Sequence, residues 1–170
     1  MVRKNVIVII ALVLIIVAGI IFFWWWFGAD HQIKKLLNDL EATASFDQQP
    51  TLIAASIKAE RLTNYFSPDI KLEIKSDDGL VELHTTRREE SKNYFLTSIQ
   101  RVSLIDIQFL DTQIDAVSGR ASLETTARVK VLSDFGETNM LLPLRITFNR
   151  LSGNWQIQNV TSIEIIKRYR

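Results

Sequence analysis

The chain passes from a short polar start into a long apolar block. Val6 to Phe27 reads VIVIIALVLIIVAGIIFFWWWF, with no charge and no proline. At about 1.5 Å per helical residue the block reaches roughly 33 Å, enough for a hydrocarbon core of about 30 Å. Sixteen of its residues are Ile, Leu, Val or Phe. At roughly −0.3 to −0.6 kcal/mol each, they favour insertion by on the order of 5 to 10 kcal/mol. A cleaved signal peptide is the alternative, but its apolar region runs about 7–15 residues and ends in small side chains. This block ends in Phe22, Phe23, Trp24, Trp25, Trp26 and Phe27 before Gly28-Ala29. Indole rings favour the membrane–water interface, so Trp24, Trp25 and Trp26 predict the outer rim of a permanent transmembrane helix. Arg3 and Lys4 ahead of the span predict a cytoplasmic head over 1–5, a membrane helix over 6–27 and an extracytoplasmic domain over 28–170, periplasmic in a bacterium.

After the block the period becomes that of surface helices. Ile33, Leu36, Leu37, Leu40 and Ala44 fall on one stripe, with Lys34, Lys35, Asn38 and Asp39 opposite. This helix is expected to continue the membrane helix with a slight break. Asp47-Gln48-Gln49-Pro50 is a connection. A second helix starts near Thr51, carries Leu52, Ala55, Ala59, Leu62 and Phe66, and ends at Ser67-Pro68-Asp69. Ile70, Leu72 and Ile74 then alternate with Lys71, Glu73 and Lys75 as in a half-buried strand. Asp77-Asp78-Gly79 reads as a turn, with a short returning strand over Leu80 to His84. Thr86-Arg87-Arg88-Glu89 has the form of a capping box, and the helix after it presents Ser91, Tyr94, Phe95, Ser98, Ile99 and Val102 on one face.

Four alternating segments close the chain, about Leu104–Ile114, Arg120–Leu132, Thr138–Asn149 and Asn154–Ile165. The loops between them are too short for a parallel crossover, so the segments form an antiparallel meander. Helices first and a meander afterwards predict an α+β domain, a curved antiparallel sheet with helices packed on one face.

Charge narrows the function. The chain has 20 Lys+Arg and 19 Asp+Glu, and only Arg3 and Lys4 precede Asp30, so the domain carries 18 positive and 19 negative groups. A nucleic-acid partner needs a basic excess, so none is expected. With no cysteine, disulfides, thiol catalysis, thiolate metal sites and iron–sulfur clusters are excluded. Six glycines form no phosphate loop, and no cofactor is expected.

The order of elements resembles the nuclear-transport-factor-2-like (SnoaL-like) superfamily over about residues 30–166. The resemblance is carried by the passage Leu62-Thr63-Asn64-Tyr65-Phe66-Ser67-Pro68-Asp69, the helix Arg87-Arg88-Glu89-Glu90-Ser91-Lys92-Asn93-Tyr94-Phe95 and the ending Gly153-Asn154-Trp155-Gln156-Ile157. It implies a cone-shaped NTF2-like domain whose interior can form a pocket. The superfamily spans isomerases, hydrolases, cyclases, small-molecule binders and scaffolding subunits, so the fold does not select among them. Its enzymes place Asp or His inside the cone, and its members often pair through the outer sheet face.

Candidate chemistry is sparse. His31 lies just outside the aromatic rim and reads as a solvated interfacial residue. His84 has no hydrogen-bond partner near it in sequence, which a general base needs. Two histidines so placed make no zinc site, and Asp77-Asp78-Gly79 lacks the other ligands of a cation loop. Asp106 sits among Leu104, Ile105, Ile107 and Phe109. If it faces the cone it is a buried acid. If it faces solvent, Ile105, Ile107 and Phe109 form the core, and the alternation fits that arrangement better. Tyr65, Phe66, Phe95, Asp106 and Trp155 are the candidate pocket-lining residues, with no catalytic set and no metal. Asn159-Val160-Thr161 matches a glycosylation acceptor only by form. Lys167-Arg168-Tyr169-Arg170 is a basic tail, either touching anionic lipid or ending a solvated strand. These features predict a membrane-anchored, non-catalytic binding or assembly module of the cell envelope, with lipid bilayer, a homodimer or envelope-complex subunits as partners. The alternative is a cone that binds a small apolar ligand or acts on it as an isomerase or hydrolase.

Overall fold

The computed structural model describes residues 15–17, 28–76, 79–81, 87–163 and 167–169; of 74–76, 79–81 and 167–169 it gives the backbone only. Helix α1 spans Ala29–Ala44, α2 Leu52–Asn64 and α3 Arg88–Ile99. The strands are β1 Phe66–Ser76, β2 Gly79–Val81, β3 Val102–Val117, β4 Arg120–Ser133, β5 Gly136–Leu151, β6 Asn154–Ser162 and β7 Lys167–Tyr169. They form one sheet in the order β2-β1-β6-β5-β4-β3, with β7 also paired to β5. The predicted meander is β3 to β6, and its pairs are antiparallel. Two of its turns, Ser118-Gly119 and Ser152-Gly153, have both residues at positive φ, the backbone of the two-residue hairpin that follows strand twist.

Each strand of the meander turns one face to the helices. Ala121, Leu123 and Ala127 of β4, Leu144, Ile146 and Phe148 of β5, and Trp155 and Ile157 of β6 form the core with Ile70 of β1. Ile33, Leu36 and Leu37 of α1 close it from the helix side, as the periodicity predicts. Pairing slips by one residue between Leu110 and Gln113 of β3, where Asp111 has φ 51°. The bulge bends the strand and reverses which residues face inward: Phe109 packs on the core before it, Ile114 and Ala116 after it.

β3 pairs with β4 on one side only, so its other edge needs partners. The end of α1 supplies them. Phe46 and Ile105 exchange backbone bonds at 2.7 and 2.9 Å. Ser45 Oγ accepts from the Ile107 amide at 3.0 Å, and the Glu41 carboxylate accepts from the Phe109 amide. Lys58 of α2 donates to the Thr43 and Ser45 carbonyls at 3.1 and 2.9 Å, capping α1 and joining the helices.

Several expectations are corrected. Gly28 is the N-cap of α1 with ψ 144°, so α1 starts afresh and does not extend an earlier helix. In α2 the Thr51 hydroxyl accepts from the Ala54 amide at 3.3 Å as an N-cap should, but Leu52 is exposed. That helix stops at Asn64; Phe66 and the Ser67-Pro68-Asp69 segment lie in β1, because β1 pairs in parallel with β6 from Phe66 onward. The cap of α3 is Arg87 with no side-chain hydrogen bond, so the capping box does not act as predicted. Lys167–Tyr169 is strand β7 on β5 rather than a loose tail.

The span Val6–Phe27 lies outside the described residues except Ile15–Val17, which are helical. Trp24, Trp25 and Trp26, the returning-strand residues after Val81 including His84, Asp77, Asp78 and Thr86 are also outside them. Among the described residues no helix is long and apolar enough to cross a membrane.

Candidate functional site

The helices do not fill the concave side of the sheet completely. A cavity of about 410 Å³ remains between α1, α2, α3, β1 and β3, within the usual range of small-molecule sites. Leu40 and Ala44 line it from α1, Leu62 and Thr63 from α2, and Phe66 and Leu72 from β1. Ile107 and Phe109 form the β3 wall, the two residues whose backbone α1 holds. The remaining side is α3, through Ser91, Tyr94, Phe95 and Ser98. Tyr94 is 57% exposed, so the cavity opens along this helix.

The walls are carbon surface with four hydroxyls. Two of these are bonded to their own helices: Thr63 donates to the Glu60 carbonyl at 2.9 Å, and Ser91 to the Arg87 carbonyl at 3.5 Å. Among the described residues no carboxylate, imidazole or ammonium lines the cavity, and no group of acids and histidines is arranged to hold a metal. The surroundings can exclude water from an apolar molecule and offer a few hydroxyls for orientation.

Of the predicted pocket residues, Phe66 and Phe95 line this cavity. Tyr65 and Trp155 do not. They lie together in a separate polar cleft of about 400 Å³ with Gln32, Lys35, Asp39 and Gln156. Trp155 is 8% exposed and its indole N–H donates to Gln32 at 3.0 Å, so it anchors β6 to α1. Asp106 does not line the cavity either. It stands opposite Lys130 across the β3–β4 pair and accepts from the Gln108 amide at 3.4 Å, on the face away from the helices. The odd-numbered neighbours Ile107 and Phe109 take the inner face, as strand alternation requires. Asn159 has its Oδ1 buried and without a partner within β6, a poor place for a glycan.

The sequence held one sign of the cavity. The α3 face reads Ser91, Tyr94, Phe95 and Ser98 where a filled core face would carry Leu and Ile, and only Ile99 of that helix is fully buried. A face of small hydroxyls beside aromatics leaves space beneath it.

No family model matches the chain, and no curated protein is similar to it in sequence. Its fold does match solved structures. A candidate scytalone dehydratase from Novosphingobium aromaticivorans superposes with a TM-score of 0.61 at 13% identity, covering 82% of this chain and 83% of its own. A hexachlorocyclohexane dehydrochlorinase superposes with a TM-score of 0.63 at 10% identity, covering 84% and 89%. A protein from Kribbella flavida gives 0.64 at 11% identity, covering 82% and 91%. The domain therefore has the NTF2-like α+β fold that its element order resembles. At these identities the likeness concerns the fold alone.

Proposed function

We propose that this domain binds a small, mainly apolar molecule in the cavity beneath α3, and that residues 6–27 tether it to a membrane with the domain on the extracytoplasmic side. The cavity carries the reading. It is bounded by Leu40, Leu62, Phe66, Leu72, Phe95, Ile107 and Phe109, and a molecule placed there removes apolar surface from water at about 25 cal/mol per Å². Structural neighbours that include a dehydrochlorinase support use of the same cone for a small substrate. The hydroxyl-only polar lining among the described residues favours binding over turnover. Titration of the full chain in nanodiscs with a neutral apolar probe such as 1-decanol, with empty nanodiscs as the blank, tests this. Saturable binding that Ser98→Phe weakens by about ten-fold is expected, because the new ring occupies the cavity. Equal uptake by wild type, variant and blank would end the proposal.

A second reading, an assembly subunit of the envelope, is favoured by Leu52, Ile53 and Ile57, which are 74%, 76% and 52% exposed on α2. Grouped apolar side chains of this kind suit a protein contact. Crosslinking in intact membranes that Ile57→Glu abolishes supports it; crosslinks that Ile57→Glu leaves unchanged count against it.

A further inference from the structure

We infer that the molecule held in the cavity is an amphiphile with an apolar body and one carboxylate, and that Arg88 meets the carboxylate. The inference rests on the ligand-binding reading above and names the chemistry of the ligand.

Arg88, Ser91, Phe95 and Ser98 follow one another at three- and four-residue steps on α3, so Arg88 stands one turn before the cavity wall on the same stripe. Its Nη2 donates to the Phe66 carbonyl at 3.0 Å, and Phe66 is itself a wall residue. That bond fixes the guanidinium beside the space. Its Nε is buried and has no hydrogen-bond partner. The neighbouring cation, Lys92, is paired with Glu60. Among the described residues Arg88 has no such acid, and one bond to a carbonyl leaves most of its five donors unmet. A partly buried charge without a counter-ion is costly. A carboxylate arriving at it would form charge-assisted bonds in the planar geometry that guanidinium favours. The rest of the cavity accepts only carbon. Its volume of about 410 Å³ corresponds to on the order of a dozen water-sized groups at about 30 Å³ each, the size of a medium-chain fatty acid such as decanoate.

The test compares decanoate with 1-decanol on the full chain in nanodiscs, with empty nanodiscs as the blank. A purely apolar cavity prefers the alcohol. Arg88 reverses the order, and Arg88→Gln is expected to weaken decanoate by about ten-fold or more while leaving 1-decanol within two-fold. Arg88→Lys retains part of the preference. If 1-decanol binds at least as well as decanoate to wild type, or if the preference survives Arg88→Gln, the carboxylate inference falls and the cavity reading stands. If neither probe binds above the blank, both fall. Should Arg88→Gln lose both probes, the wild-type Arg88 Nε–H NMR signal decides: it shifts with decanoate and not with 1-decanol, or the inference is wrong.

Discussion

Thr125 points to the core side of β4, where it is 5% exposed, and its hydroxyl donates to the Leu110 carbonyl at 2.7 Å. That carbonyl sits at the β3 bulge, where the ladder is interrupted and a backbone group lacks its regular partner. Thr125→Val keeps the side-chain shape and leaves the carbonyl unmet, so a loss of about 1–3 kcal/mol is expected. Thr126→Val, on the opposite face, is expected to stay within about 0.5 kcal/mol. Urea midpoints of the two variants separate these outcomes, and equal midpoints would remove the bulge from the account. At the surface, Glu60 is held below its ordinary carboxylate pKa of 4.5, first by the hydrogen bond from Lys92 and then by the charge of the same ammonium. Because the folded value is the lower one, the stabilisation is complete above about pH 4.5 and disappears as pH falls through the folded value. Glu60→Gln therefore lowers the midpoint at neutral pH and matches wild type in acid. High salt narrows the gap, since the pair is exposed.

Among the elements, β4 and β5 are paired along their whole lengths and carry six of the core residues, whereas α3 contributes Ile99 alone to the fully buried set. Local opening is easiest where few apolar contacts must break. Amide hydrogen exchange is therefore expected to protect β4 and β5 strongly and α3 weakly, with α3 gaining protection when decanoate fills the space beneath it. Uniform protection would mean that the cavity is not bounded by a loosely held helix. The same contrast explains how much could be read beforehand. The meander was legible because alternation in β4 and β5 is unbroken and the connecting turns are short. The stripe of α1 was legible because Ile33, Leu36 and Leu37 repeat at helical spacing. The parallel pairing of β1 with β6 was not, since Phe66 and Ile157 are brought together by tertiary contact and no local period announces it. Tyr65 and Trp155 were misplaced for the same reason: being aromatic and near the correct elements does not say on which side of α1 they lie. For Asp106 the alternation alone decided correctly, because Ile105, Ile107 and Phe109 need the inner face more than Leu104, Asp106 and Gln108 do.

At the scale of the molecule, the domain builds its core without the apolar block. Buried positions begin at Ile33, Gly28 interrupts the helix, and Ile15, Ile16 and Val17 remain 72%, 52% and 45% exposed. Nothing in the domain's core covers those three side chains, so their burial falls to another phase, and lipid is the phase that the length and the tryptophan rim of residues 6–27 suit. The cavity stands apart from that tether: Leu40 is twelve residues beyond Gly28, about 18 Å along α1 at 1.5 Å per residue. Ligand capture and anchoring should then separate cleanly. A chain beginning at residue 28 is expected to stay in the soluble fraction, melt within a few degrees of the full chain and bind decanoate with the same affinity, while the full chain resists alkaline extraction from membranes. Recovery of the full chain in the soluble fraction would remove the tether. A shortened chain that aggregates or loses decanoate would show that residues 1–27 also support the fold, and would tie the site to the membrane more closely than the length of α1 implies.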